Sequence, residues 1–187
     1  MLRTGTPNVE AVSKYHEFGS GALEHASNLS RRLDPSLTWE DVRWFRQKWK
    51  KRFVIKGILS AEDAKTAQDN GADAIVISNH GGRQLNFASS SIGLLPEIRK
   101  AVGPDFCVMI DGGFCRGSEI VIALGLGASG ALLGRAYAFG LSAQGQEGVE
   151  KAISILADEI KITLKLMSLN PIKELQAKGA KCVYQIA

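Results

Sequence analysis

Cysteine is scarce. The 187 residues hold three, Cys107, Cys115 and Cys182. No two of them sit at the short spacing of a zinc knuckle or a redox pair, so neither a metal site nor a dithiol centre is expected. An odd, widely spaced set also argues against a disulfide framework and is expected of a reducing, cytoplasmic setting. Long hydrophobic runs are missing too: none approaches the ~20 apolar residues of a spanning helix. The opening "MLRTGTPNVE" lacks the apolar core of a secretory leader. No two-residue hairpin signal joins two strand-like runs, which excludes a β-meander. Excess charge is small, +4, with one dense cluster, "RQKWKKR" from Arg46 to Arg52. That is too little for a nucleic-acid partner. The cluster reads first as the solvated end of a helix before a strand, with an anionic phosphate or membrane surface as the alternative.

What is present is a core. Hydrophobic residues make up 45% and charged residues 22%, a balance that supports one packed domain or most of one. Residues 1–37 are polar and weakly periodic, and read as loops with a short helix around 22–32. From Thr38 the pattern sharpens. "TWEDVRWFRQKW" has Thr38 as N-cap and Asp41 three residues on, with Trp39, Val42, Phe45 and Trp49 at helical spacings. After it, short apolar runs and amphipathic segments alternate. "FVIKGI", "AIVIS", "CVMID" and "GALLG" read as buried strands. "SAEDAKTAQDNGA", "SIGLLPEIRKAV" and "GSEIVIALGLGA" read as helices, the first capped by Ser60 with Asp63 and stopped by Gly71. A last helical region runs from about 147 to 169.

Apolar strands separated by amphipathic helices predict a parallel sheet covered by helices, either an α/β barrel or an open doubly wound sheet. Lys56, Ser78, His80, Arg83, Asp111, Gly134 and Arg135 all lie at or just past strand C-termini. Four successive strands each contributing to one rim favours the barrel. A full (β/α)8 barrel takes about 250 residues, and only four strand-helix units are visible here.

The rim residues suggest chemistry. Lys56 ends an apolar strand, as a fixed cation facing an electron-rich ligand or as a lysine reaching for solvent. His80 is followed by two glycines that let a ligand approach the backbone, and an imidazole can take a proton near neutral pH. Arg83 could grip a carboxylate with two parallel hydrogen bonds. "IDGGFCRG" and "LLGRA" each end a strand in glycine and open a helix, so both are expected to offer backbone N–H groups to a phosphate. The bland alternative for the pair is tight turn chemistry.

At these residues a resemblance enters. "SNHGGRQ", supported by "VIKG", "IDGGF" and "LLGRA" in order, resembles the active-site signature of the FMN-dependent α-hydroxy acid dehydrogenases and oxidases, and most closely the lactate and mandelate dehydrogenase branch. The resemblance covers essentially residues 38–167. It implies the C-terminal half of a TIM-type (β/α)8 barrel, four strand-helix units ending in a long helix. Residues 38–170 would form the half-barrel, 171–187 a tail, and 1–37 would match the variable segment between barrel strands four and five. The implied cofactor is FMN and the implied substrate a small 2-hydroxy acid, oxidised to the 2-oxo acid. Lys56 would stabilise negative charge on the flavin and Ser78 would contact it. His80 would be the base and Arg83 the carboxylate clamp. Asp111, Gly112, Gly113, Phe114 and Cys115, with Gly134 and Arg135, would hold the ribityl chain and phosphate.

Two positions depart from the family. Cys115 stands where it usually has arginine, so either one phosphate contact is lost or Arg116, next in the chain, substitutes imperfectly; Asn86 stands where it usually has aspartate. The family's first four strands are not seen, so the chain is expected to be a fragment, inactive alone. Its implied partners are an N-terminal half-barrel or a second copy, and peripheral contact with the inner face of a membrane through residues 1–37. The alternatives are a non-catalytic remnant or assembly half, and another phosphate-binding barrel, which "SNHGGRQ" argues against.

Overall fold

The computed structural model describes residues 34–169 and 172–183. The short helix expected around 22–32 lies outside them. Contacts divide the chain into two units, Met1–Asp41 and Val42–Ala187. In the described part of the first, the backbone N–H and hydroxyl of Thr38 both donate to Asp41 Oδ2, at 2.7 and 2.8 Å. That is half of the expected capping box, and it starts helix α1, Trp39–Lys48.

The second unit is built on a four-stranded sheet in the order β1-β2-β3-β4, with every neighbouring pair parallel. The strands are β1, Val54–Ile58, β2, Ala74–Ile77, β3, Cys107–Ile110, and β4, Gly130–Ala131. Helices α2, Ala61–Asp69, α3, Ser91–Val102, and α4, Gly117–Gly125, connect them. Helix α5, Arg135–Leu166, and helix α6, Ile172–Lys178, follow. Ser60 caps α2 as expected, its hydroxyl oxygen accepting from the Asp63 amide at 3.0 Å. Ile75 and Ile77 of β2, Val108 and Ile110 of β3, Leu95 and Ile98 of α3 and Val121 of α4 are fully buried between sheet and helices.

Three expectations need correcting. β1 is not a buried strand: Val54 is 43% exposed, because among the described residues β1 pairs on one side only. β4 is shorter than "GALLG", since its ladder to β3 ends at Ala131. The helix expected from about 147 to 169 is α5, which starts at Arg135, ends at Leu166 and breaks once, at Gln144 (φ −145°) and Gly145 (φ 58°). Across that break the two segments touch backbone to backbone: a Cβ on Gly148 would lie 2.0 Å from the Gly140 carbonyl oxygen.

The basic cluster at the end of α1 has a structural role. Arg46 donates to Asp73 at 3.3 Å and to the Lys51 carbonyl at 2.9 Å, while Asp73 also accepts from the Phe53 amide where β1 begins. Phe45 packs against Phe53 with ring centroids 5.1 Å apart. At the N-terminal ends of β3 and β4, Arg99 of α3 donates to the carbonyls of Gly103 and Phe106, both at 2.7 Å, and of Gly127 at 2.9 Å. One half-buried guanidinium thus ties the loop before β3 to the loop before β4. At the C-terminal end of α4, Leu175 of α6 is fully buried near Gly125.

Candidate active site

Chain direction puts the C-terminal ends of the four strands on one rim, and the polar residues gather there. Lys56 lies in β1 immediately before Gly57, where the register with β2 shifts by one residue. Gly57 has φ 101°, a backbone that only glycine adopts cheaply, so the strand bulges and re-aims its lysine. The Lys56 ammonium donates to Ser78 Oγ at 2.7 Å and pairs with Asp111 Oδ2 at 2.8 Å. Side chains from β1 and from the ends of β2 and β3 therefore meet at one point.

Ser78 is 3% exposed. Its oxygen also accepts from the His80 backbone N–H at 3.1 Å. That bond matters because His80, Gly81 and Gly82 are consecutive left-handed residues, with φ 55°, 66° and 71°. A histidine in this region stores about 1–2 kcal/mol of strain, so its surroundings must hold it there. Asn79 helps: its Oδ1 accepts from the Gly82 amide at 3.2 Å and its Nδ2 donates to the Ser89 carbonyl at 3.3 Å. The turn places His80 and Arg83 in the lining of a cavity of about 430 Å³. Lys56, Asp111, Gly112, Gly113, Gly134 and Arg135 line it too.

Of the sequence-predicted site residues, Ser78 is not in the lining but holds Lys56, which is. Phe114 and Cys115 are not among the lining residues. Phe114 is buried beside a second cavity of about 390 Å³ that shares the Asp111–Gly113 wall, and the Cys115 side chain is exposed. The cavity also takes in Gly81, the first of the two glycines after His80, and Leu132 and Leu133, which had no polar signal to mark them.

The two glycine turns differ. At the start of α4 the amides are already used: Glu119 Oε2 accepts from Cys115 and Arg116 at 2.8 and 3.1 Å, and Glu159 Oε2 accepts from Gly117 at 2.6 Å. Carboxylates thus occupy the amides of Cys115, Arg116 and Gly117, while Gly112 and Gly113 line the cavity. Arg116 also pairs with Glu159, its Nη1 2.8 Å from Glu159 Oε1. The start of α5 is different. Gly134 caps it without a side-chain hydrogen bond, and a Cβ on Gly113 would lie 2.7 Å from Arg135 Nη2. The bare glycine backbone and that guanidinium form a cradle at the N-terminus of α5, suited to an anion.

Glu159 gives a pH test of the α4–α5 contact. The Gly117 amide first, and then Arg116, hold its carboxyl below the ordinary value of 4.5. A lowered carboxyl stabilises the fold above its unfolded pKa and loses that contribution as pH falls through the folded value. Glu159→Gln is expected to melt at lower temperature than wild type near neutral pH, with the gap narrowing as pH falls below 4.5. A gap that stays constant into strong acid would mean the charge is not responsible.

The comparisons with known proteins agree with this geometry. The sequence profile of the FMN-dependent dehydrogenases matches residues 5–181. An L-lactate dehydrogenase of Caulobacter vibrioides is 44% identical over 153 residues, which is 82% of this chain and 40% of the relative. Among solved structures, a soluble mutant of the membrane-associated (S)-mandelate dehydrogenase from Pseudomonas putida superimposes with TM-score 0.80 at 38% identity, over 94% of this chain and 49% of that one. A mandelate oxidase variant carrying a monooxide FMN adduct gives TM-score 0.72 at 41% identity, over 75% and 45%. The fold is half of a TIM-type (β/α)8 barrel of the flavin-enzyme kind. The chain belongs to the FMN-dependent dehydrogenase family, and it spans less than half the length of these relatives.

Proposed function

We propose that this chain carries the catalytic half of an FMN-dependent dehydrogenase that oxidises a lactate- or mandelate-like 2-hydroxy acid to the 2-oxo acid. The observation that carries the reading is the convergence of Lys56, His80, Arg83 and Arg135 on one cavity. The residues suit FMN: the Gly113–Gly134–Arg135 cradle fits a phosphate, and Lys56 adjoins the same space. When bound, FMN accepts the two electrons and the hydrogen that leave substrate C2. His80 takes the hydroxyl proton, which commits the substrate to becoming a ketone. Arg83 holds the substrate carboxylate and so fixes which face of C2 is presented. Lys56 would supply positive charge toward the reduced cofactor. Asp111 and Ser78 fix the lysine's position.

With Cys115 in place of the family's arginine and Arg116 turned to Glu159, the phosphate end has one guanidinium here, Arg135. The chain alone is therefore expected to bind FMN weakly. Joined to the N-terminal half of the Caulobacter L-lactate dehydrogenase, it is expected to bind FMN and to bleach on adding lactate or mandelate, but not their esters. A flavin-loaded hybrid that no 2-hydroxy acid reduces would sink the reading, as would one that reduces equally well with the esters.

The reading extends to a cytoplasmic protein with peripheral membrane contact through residues 1–37, supported by the membrane-associated neighbour. Among the described residues no helix is long and apolar enough to cross a membrane. Failure of the chain to sediment with anionic vesicles would count against membrane contact.

A further inference from the structure

Two buried side-chain polar atoms have no hydrogen-bond partner among the described residues: Asp111 Oδ1 and Ser91 Oγ. They are neighbours. Ser91 Oγ lies 3.3 Å from the position a Cβ on Gly112 would take, so the hydroxyl abuts the Asp111–Gly112 turn. Both residues line the 390 Å³ cavity behind the site. Ser91 is 4% exposed, and a buried hydroxyl is costly unless something uses it. Helix capping does not use it. Ser91 is the first residue of α3, and the cap is Ser90, whose hydroxyl oxygen accepts from the Gly93 amide. The chemistry of the two atoms is complementary, a hydroxyl donor beside a carboxylate acceptor. The other oxygen of that carboxylate, Oδ2, holds Lys56 at 2.8 Å.

We propose that Ser91 is a positioning residue for Lys56, acting through Asp111. Its hydroxyl donates to Asp111 Oδ1, either after rotation about its Cα–Cβ bond or through one water in the adjoining cavity. Asp111 is then fixed at both oxygens, by α3 on one side and by the lysine on the other. The connection runs from Ser91 to Asp111, Lys56, Ser78 and the His80 amide, so the N-terminus of α3 sets the position of the cation and supports the strained turn. Without the hydroxyl, the carboxylate keeps one partner and is free to rotate, and the ammonium loses its fixed place. The inference rests on the proposed function only for the use made of Lys56; its test reads the lysine directly and needs no flavin.

The experiment is competitive amine labelling of the full chain, with peptide mapping by mass spectrometry. The exposed lysines Lys48, Lys50 and Lys51 serve as internal references. Lys56 is 45% exposed, so it is reachable, but it is held by two partners. Ser91→Ala is expected to raise Lys56 labelling relative to the references by about three- to tenfold, the scale of one charge-assisted hydrogen bond partly compensated by solvent. Ser91→Thr, which keeps the hydroxyl, is expected to restore the wild-type ratio. Asp111→Asn is expected to raise the ratio at least as far, and adding Ser91→Ala to it should change nothing further. A serine that merely fills space would lower the melting temperature and leave the Lys56 ratio unchanged, and that result overturns the proposal. So does a Ser91→Ala effect that persists in full on top of Asp111→Asn. If Ser91→Ala fails to fold, the near-isosteric Ser91→Cys, with its weak donor, is expected to show the same rise, and a wild-type ratio there is equally fatal.

Discussion

Replacing His80 with glutamine is expected to leave flavin bound to the hybrid barrel and to slow its reduction by a 2-hydroxy acid about 10²- to 10⁴-fold, the range supplied by one general base. Glutamine keeps a polar group of similar reach and cannot take the proton. The backbone should tolerate the change, because the left-handed turn is held by the Ser78 hydroxyl and the Asn79 amide and not by the imidazole. The melting temperature is therefore expected to stay close to that of wild type. Stopped-flow reduction separates the outcomes: an unchanged rate removes His80 from the mechanism, whereas loss of flavin together with rate would make its role structural.

The largest expected effect on stability comes from a glycine far from that chemistry. Gly148→Ala would place a methyl group 2.0 Å from the Gly140 carbonyl oxygen. Overpacked cores usually lose 1–3 kcal/mol by shifting side chains. Here the obstacle is backbone, which no rotamer change relieves, so about 3 kcal/mol or more is expected. For a chain of this size that lowers the melting temperature by roughly 6–12 °C. Gly130→Ala is the control. It lies in β4 without a positive φ and with open space where a Cβ would go, and should leave the melting temperature close to that of wild type. Thermal unfolding of the pair decides the matter, and equal melting temperatures would show that the two helix segments do not need their close contact.

How much was legible in the sequence follows from the range of each interaction. Ser60 with Asp63 and the stop around Gly71 are local signals, and α2 begins and ends where they indicate. Apolar runs located all four strands, yet periodicity says nothing about neighbours, so the exposure of β1 and the shortness of β4 were invisible. The first part of α5, from Arg135 to about 146, was missed; it holds Gly140, which meets Gly148 in a backbone contact between two segments that the sequence pattern does not bring together. The rim residues were legible because their chemistry is unusual at strand ends, and Lys56, His80, Arg83 and Arg135 do line one cavity. Glu159 had no such mark. It stands on a helix 42 residues beyond the amide it caps, and only the folded chain brings it to the start of α4. Ser91 was hidden for the opposite reason: beside Ser90 it looks like one more capping serine.

Arg99 carries a consequence for how this half-barrel comes apart. Its guanidinium is satisfied by carbonyls from the loop before β3 and from the loop before β4. Fraying of the β4 end strips it of the Gly127 carbonyl while leaving it half enclosed by the rest, an arrangement more costly than releasing both loops together. The third and fourth strand-helix units are thereby fused into a single unit of local unfolding. A strand only two residues long, too short to hold its own place, survives by sharing the fate of its neighbour.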